Sequence, residues 1–425
     1  MRTCSALIRA LYSIRASSLI AASVVLALLV SAALTANAQT AHFSGAAVTL
    51  GSGFYNPKSV AVDAIGNVFV ADTWNNAVKE IVAVNGSIPF ANPTITTLGS
   101  GFNSPNGVAV DGSGNVFVAD TGNNAVKEIV ATGGYTTVNT LGSGFNTPNG
   151  VAVDGSGNVF VADTGNHSVK EIVAAGAYTT VNTLATGFPG PAGVAVDGIG
   201  NVFVADDMLS SVFEIVAGSP FNSYHTVGSG FYNPIGVAVD GNGNVFVGDT
   251  SNGAVKEIPP SCMAGANNYT CVMTLGSDFT DPEGVAVDGS GHVFVAEGGK
   301  SVVREIVTAG GNFGSVNLGA TSATPLYFFF TFDTAGTWGS ALALTQGANL
   351  QDFTITSKGT SCAHNGTYSC QAGDTVSVNV TFKPQHPGPR YGAVELLDGS
   401  GNLLATGYAQ GTGVGPQATD RKSVV

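Results

Sequence analysis

The chain reads as an all-β protein: a six-bladed β-propeller followed by a smaller β-sandwich. Three observations carry that reading. A segment such as "NGVAVDGSGNVFVADTGNNAVKEIV" at 106–130 recurs six times, with the aspartate of its VAVD unit at Asp63, Asp111, Asp154, Asp197, Asp240 and Asp288, spaced 48, 43, 43, 43 and 48 residues apart. A period of about 40 to 50 residues with several short apolar runs is that of propeller blades, each a four-stranded antiparallel sheet. Charged residues make up only 10% of the chain while glycine occurs 58 times, which suits many short strands joined by tight turns. Residue size is also graded within each repeat. The first run carries Ala61, Ala109, Ala152, Ala195, Ala238 and Ala286 between valines, and the second carries Phe69, Phe117, Phe160, Phe203, Phe246 and Phe294. Small side chains near the axis and large ones farther out fill a wedge between blades that widens outward.

Residues 1–38 are expected to lie outside the fold. They hold Arg2, Arg9 and Arg15 with no acidic residue, then an apolar run from Leu19 to Leu34, then Ala36-Asn37-Ala38. That order is a secretory signal peptide with a small-x-small cleavage site, so the mature chain is expected to begin at Gln39 and to be periplasmic, extracellular or displayed on a surface. The competing reading is an uncleaved anchor, since the run nearly reaches the roughly 20 residues that span a bilayer. No later segment is apolar enough to cross a membrane. Removing the three arginines from the 15 basic residues leaves 12 against 28 acidic ones, a net charge of −16. Such a surface repels phosphate backbones and excludes nucleic acid as a partner.

Within a repeat, "GVAVD" and "NVFVAD" are apolar almost throughout rather than alternating, which implies cover on both faces by neighbouring blades. Closure needs a strand from one end of the chain. The segment "AAVTLGSGF" at 46–54 matches the outer-strand segment "VNTLGSGF" at 138–145 yet precedes the first inner strand, so residues 46–50 are predicted to complete blade six. The pattern P-x-G-V-A-V-D-x-x-G-N-V-F-V-A-D-x-x-N-x-x-V-x-x-I resembles the NHL repeat family. The resemblance spans residues 41 to 312 within a propeller domain placed at 39–312, and it implies a six-bladed propeller that most often serves as a recognition surface. Blades four and six depart from it, with "ADDMLSSV" at 205–212 and "AEGGKSVV" at 296–303.

From residue 313 the repeat is lost. Short runs such as "TVSVNVTFKP" and "GAVELLDGSGNLLATGYAQ" with turn residues between them read as a β-sandwich over 313–415. Its ending "VTFKPQHPGPRYGAVELLD" resembles bacterial Ig-like domains found beside NHL propellers, which implies a spacer or display role. Residues 416–425 end in "TDRKSVV", which reads as foreign sequence, so the natural chain is expected to continue past Ala418. Four cysteines remain after processing, in two local pairs: Cys262 with Cys271, and Cys362 with Cys370. In an exported chain these read as two loop-closing disulfides, each stabilising by roughly 2 to 3 kcal/mol in the chain-entropy model. Neither spacing suits a zinc site.

Candidate chemistry is sparse. The turn "DGSGN" has the look of a calcium loop, but Ile65 and Ile199 stand where an oxygen ligand is needed, which favours a hairpin whose aspartate accepts backbone N–H groups. His167, His225 and His292 fall at different places in the repeat and are not expected to converge on one ion. The residue after each proline that enters an inner strand should ring the channel: Lys58, Asn106, Asn149, Ala192, Ile235 and Glu283. Lys58 and Glu283 become neighbours at closure and are expected to form a seam salt bridge. On the same face lie Trp74 and Asn75 in blade one and Met208 and Leu209 in blade four, residue types that suit a recognition patch; the bland alternative is packing on a neighbouring blade or domain.

The sequence thus predicts an exported, non-catalytic binding or scaffold protein whose propeller face meets a protein or carbohydrate, with no cofactor and no catalytic residues. The competing function, by likeness to propeller lyases and lactonases, is a metal-dependent enzyme with a divalent ion at the channel mouth held by Glu283, Asn106 and Asn149.

Overall fold

The computed structural model describes residues 41–415 apart from 85, 90–91, 264–271, 277–278, 308–309, 324, 346–351 and 363–368. The signal-peptide, tail and Cys271 predictions therefore lie outside the described residues. Five four-stranded antiparallel sheets and the first four strands of a seven-stranded sheet form a closed ring of six blades. Their inner strands are Pro57–Val62, Pro105–Val110, Pro148–Val153, Pro191–Val196, Pro234–Val239 and Pro282–Val287. Each packs beside the inner strand of the next blade, and the sixth packs beside the first.

The lack of alternation in the second strands has the predicted cause. Val68, Phe69, Val70 and Ala71 are all fully buried, because adjacent blades cover both faces of the sheet. The hairpin that enters this strand is built by the aspartate alone. Asp63 Oδ1 accepts the N–H groups of Ile65 and Asn67, Asn67 Nδ2 donates to Asp63 Oδ2 at 2.9 Å, and Gly66 supplies the positive φ of 90° that the turn requires. The carboxylate is spent on the turn, which is the hairpin reading rather than the calcium one.

Closure follows the sequence expectation and then exceeds it. The strand Ala41–Gly51 pairs antiparallel with the third strand of blade six, Val302–Val307, placing Ala46 opposite Val307 and Val48 opposite Glu305. Its other edge pairs with Leu326–Phe332, Phe43 opposite Phe330 and Ala47 opposite Tyr327. Blade six therefore runs on without interruption into a seven-stranded sheet that continues through Thr375–Phe382 to Phe353–Thr360.

A second sheet of four strands, Gly311–Asn317, Leu403–Val414, Gly388–Leu397 and Ser340–Thr345, faces the far half of that sheet. Phe328, Phe330, Phe353, Phe382, Val394 and Leu396 fill the space between them, and Phe353 stacks on Phe382 with ring centroids 5.0 Å apart. The run "LYFFFTF" is aromatic on both faces because each has a partner. Phe328 and Phe330 enter the core between the two sheets, whereas Phe329 turns toward blade five, packing with Phe246, Val255 and Leu275, and meets Phe279 of the blade-six entry loop at 5.7 Å. Cys362 and Cys370 are disulfide-bonded, as their spacing predicts. Cys262 is buried in blade five.

Candidate functional site

The end of the propeller at which the inner strands begin is shaped by a buried charge in every blade. The last residue of each second strand is an acid with no solvent exposure: Asp72, Asp120, Asp163, Asp206, Asp249 and Glu297. A carboxylate in that position must be paired and hydrogen-bonded. In blade one Asp72 accepts the N–H of Tyr55 at 2.6 Å and the Nδ2 of Asn75 at 2.8 Å, and it pairs with Lys79 at 2.6 Å. Lys79 also donates to the Gly53 carbonyl at 2.8 Å and lies over the Phe54 ring. The same assembly recurs around Asp120–Lys127, Asp163–Lys170 and Asp249–Lys256. The aspartate, asparagine and lysine of the repeat thus bind the entry loop to the second and third strands. Asn75, expected on the recognition face, is exposed with its amide committed to this network.

Blade four breaks the pattern. Phe213 stands in the lysine position, Leu209 in the asparagine position and Asp207 in place of the threonine whose hydroxyl, in blades one, two, three and five, donates to the next entry-proline carbonyl. Asp206 instead accepts N–H groups from Leu209 at 2.9 Å and Gly190 at 3.3 Å, and Phe213 packs with Phe188 and Tyr224. Asp207 Oδ1 is buried without a hydrogen-bond partner, and burial, then the neighbouring Asp206, push this carboxyl above the usual range. Freed from the network, Met208 and Leu209 project to solvent, 72% and 48% exposed.

Five of the six residues named by the proline rule line the channel mouth, and the sixth, Glu283, is buried beside it. Lys58, Asn106, Asn149, Ala192 and Ile235 surround a cavity of about 60 Å³, and beneath them the Val-Ala-Val segments of all six inner strands line a second one of about 200 Å³. Organic ligands occupy sites of roughly 300 to 1,000 Å³, so the mouth admits water or an ion and a larger ligand must lie across the face. Glu283 is held by Lys58 at 2.8 Å, the seam pair expected from closure. Burial pushes the Glu283 carboxyl up and Lys58 opposes it. Lys58→Met is therefore expected to raise it further. A carboxyl raised by folding contributes stability in acid that is lost as pH rises through its folded titration. The variant should thus melt progressively lower than the native chain between pH 5 and 8, read by circular dichroism at each pH.

Two tyrosines missed by the sequence reading, Tyr55 and Tyr232, join Trp74 on the face. Tyr55 and Trp74, 52% and 56% exposed, meet edge to face with centroids 4.8 Å apart, and Tyr232 of blade five is 62% exposed. The signal was present: blades one and five enter through "FYNP", where blades two and three have "FNSP" and "FNTP". The histidines do not meet. His167 takes a positive φ of 53° in its turn with Nδ1 3.1 Å from the Pro189 carbonyl, His225 pairs with Glu214, and His292 lies between Asp288 and Glu305. Among the described residues no three of His, Cys, Asp and Glu are grouped to hold a metal ion. A larger cavity of about 750 Å³ lies on the second sheet beside Tyr391, Tyr408 and Gln410 and reaches Val307 at the end of the third strand of blade six. No helix among the described residues is long and apolar enough to cross a membrane.

Family comparison places the NHL repeat on residues 102–129, 145–172 and 231–258. No curated protein sequence matches the chain. Among solved structures, a streptogramin B lyase is similar with a TM-score of 0.46 and 10% identity, over 62% of this chain and 98% of that one. A gluconolactonase from Xanthomonas campestris is similar with a TM-score of 0.49 and 16% identity, over 61% and 88%. A chain of a nidogen/laminin complex is similar with a TM-score of 0.43 and 19% identity, over 50% and 78%. With the NHL repeat matched at three places and six blades in a closed ring, the chain carries NHL repeats and folds as a β-propeller with a further two-sheet unit.

Proposed function

We propose that the protein is an exported, non-catalytic recognition module whose mouth face binds a partner, with the two-sheet unit acting as an Ig-like spacer. The observation that carries this is the pair of exposed clusters on one face: the Tyr55–Trp74 pair in blade one, and Met208, Leu209 and Tyr232 across blades four and five, beside a half-buried Ile235. Exposed Trp, Tyr and aliphatic anchors beside a polar ring of Lys58, Asn106, Asn149 and Glu283 have the composition of an interface centre with its polar surround. The aliphatic half favours a protein over a carbohydrate, since a sugar's hydroxyls find no donor or acceptor on Met208 or Leu209. Export is supported by the amino-terminal pattern and by the Cys362–Cys370 disulfide, a bond that persists in oxidising compartments.

The test is capture with the native chain against proteins of the source's exterior and against a glycan array. Trp74→Ala and Met208→Ala are each expected to weaken the captured protein partner by about tenfold or more, the loss typical of a buried anchor. Asn106→Ala should weaken it less. If all three substitutions left every detected interaction unchanged, the mouth would be the wrong face; a glycan ligand lost with Trp74→Ala alone would replace the protein reading.

A further inference from the structure

Blade six departs from the other five in the turn that follows its inner strand. Four places after the VAVD aspartate the first five blades have asparagine: Asn67, Asn115, Asn158, Asn201 and Asn244. Each donates Nδ2 to its aspartate at 2.9 Å, from an amide that does not itself titrate. Blade six has His292 there. Its backbone N–H still bonds to Asp288 Oδ1 at 2.9 Å, so the hairpin itself is conventional. The imidazole adds something new: Nδ1 lies 3.3 Å from Asp288 Oδ2 and 3.2 Å from Glu305 Oε1.

The charged groups that face the ring are Asp288, from the turn between the first and second strands, and Glu305, from the third strand. Both are anionic and both approach one nitrogen. A neutral imidazole offers that nitrogen at most one proton and no charge, whereas the imidazolium compensates both carboxylates. The hydrogen bond to Glu305 is the leading influence and holds the ring above its usual titration, against the pull of burial and with help from Asp288.

What gives this cluster consequence is its place in the ring. Glu305 stands opposite Val48 of the closing strand, with Thr49 opposite Arg304 and Ala47 opposite Ile306. The third strand of blade six is thus the element onto which the amino-terminal strand zips, and the same amino-terminal strand carries the two-sheet unit on its other edge. We infer that His292 is a proton-operated clasp on the closing blade: when charged it ties the turn to the third strand and steadies the closure, and when neutral it leaves the Asp288–Glu305 pair uncompensated and the closing strand less firmly held.

The sign follows from linkage. A histidine titrating higher in the folded than in the unfolded state contributes stability fully present below the unfolded value, and that stability is lost as pH rises through the folded one. The clasp is therefore engaged at low pH and released as pH rises through the folded titration of the ring.

The test compares the native chain with His292→Asn, which installs the residue that five blades already carry and so preserves the hairpin. Thermal melting and hydrogen-exchange protection of residues 46–50 are measured from pH 6 to 9. The native chain is expected to melt above the variant at pH 6, with the gap closing toward pH 9. Its protection at 46–50 should fall several-fold relative to the inner strand of blade three, Pro148–Val153, over the same range, while the variant shows no such relative change. Glu305→Gln should remove most of the same pH dependence with His292 in place. A native-to-variant gap that is constant with pH, or protection at 46–50 that follows blade three at every pH, would overturn the clasp.

Discussion

Deleting residues 41–51 is expected to abolish the cooperative unfolding of the propeller and the two-sheet unit together. This strand supplies the fourth strand of blade six on one edge and a ladder partner for Leu326–Phe332 on the other. Its loss exposes two rows of unpaired backbone groups, one on each former neighbour, and such groups cost free energy when buried and template mispairing when exposed. Ala46, Val48 and Leu50 also belong to the same buried cluster as Val60 and Val68 of blade one and Phe328 and Phe330 of the two-sheet unit. The strand is thus the one place where the first blade, the last blade and the second unit share a core. Calorimetry of the shortened chain should show a broad, low-enthalpy transition or none, and a synthetic peptide of residues 41–51 should restore part of it. A melting curve identical to that of the native chain would show that closure does not depend on this strand.

Arg304→Ala is expected to be the most damaging single substitution in the propeller, by about 3 kcal/mol, the lower end of the cost of breaking a buried ion pair, since Lys300 stays 3.0 Å from Glu297. Glu297 has no solvent exposure and Arg304 only 1%; they pair at 2.9 Å. The guanidinium also lies over the rings of Tyr327 at 4.3 Å and Phe279 at 5.3 Å, so it joins the third strand of blade six, that blade's entry loop and the two-sheet unit in one contact. Lysine would restore the charge but not the planar stacking, so Arg304→Lys should recover only part of the loss. The equivalent Lys127→Ala in blade two should cost less, because Lys127 is nearer solvent and its removal lets water reach Asp120. Urea denaturation midpoints of the three variants give the order directly. If Arg304→Ala fell no further than Lys127→Ala, the buried stack would contribute nothing beyond the repeated ion pair.

Much of this architecture is legible in the chain because a repeat states each instruction several times. The alternation of small and large residues between the first and second strands, the Asp-x-x-Gly-Asn hairpin and the proline entering each inner strand are all local features, and the structure places them where their spacing implies. The same spacing argument correctly puts Lys58 beside Glu283 and Asn106, Asn149 and Ile235 around the channel, since a ring of equivalent positions needs no knowledge of distant contacts.

The candidate face was less legible. Trp74 and Met208 stand out as departures from the repeat, but Tyr55 and Tyr232 precede the repeat's recognisable part, and their exposure depends on how each entry loop is tied down by a buried aspartate. That aspartate's partner, the lysine of the third strand, reads in the sequence as an ordinary solvated charge. Only the fold shows that its stem crosses a phenylalanine ring to reach a carboxylate with no access to water.

The sequence by itself determined six blades, the strand that closes them and the positions that ring the axis, because these follow from periodicity and from the size of side chains that must fill a wedge. The tertiary structure alone decided that the closing strand has a second partner, that "YFFF" divides its rings between two cores, and that one histidine sits between two carboxylates at the closure. Those outcomes depend on strand edges and side-chain faces brought together from positions some 250 to 290 residues apart, such as Val48 with Glu305 and Ser44 with Thr331, and no local pattern encodes which edge of a strand will find a neighbour.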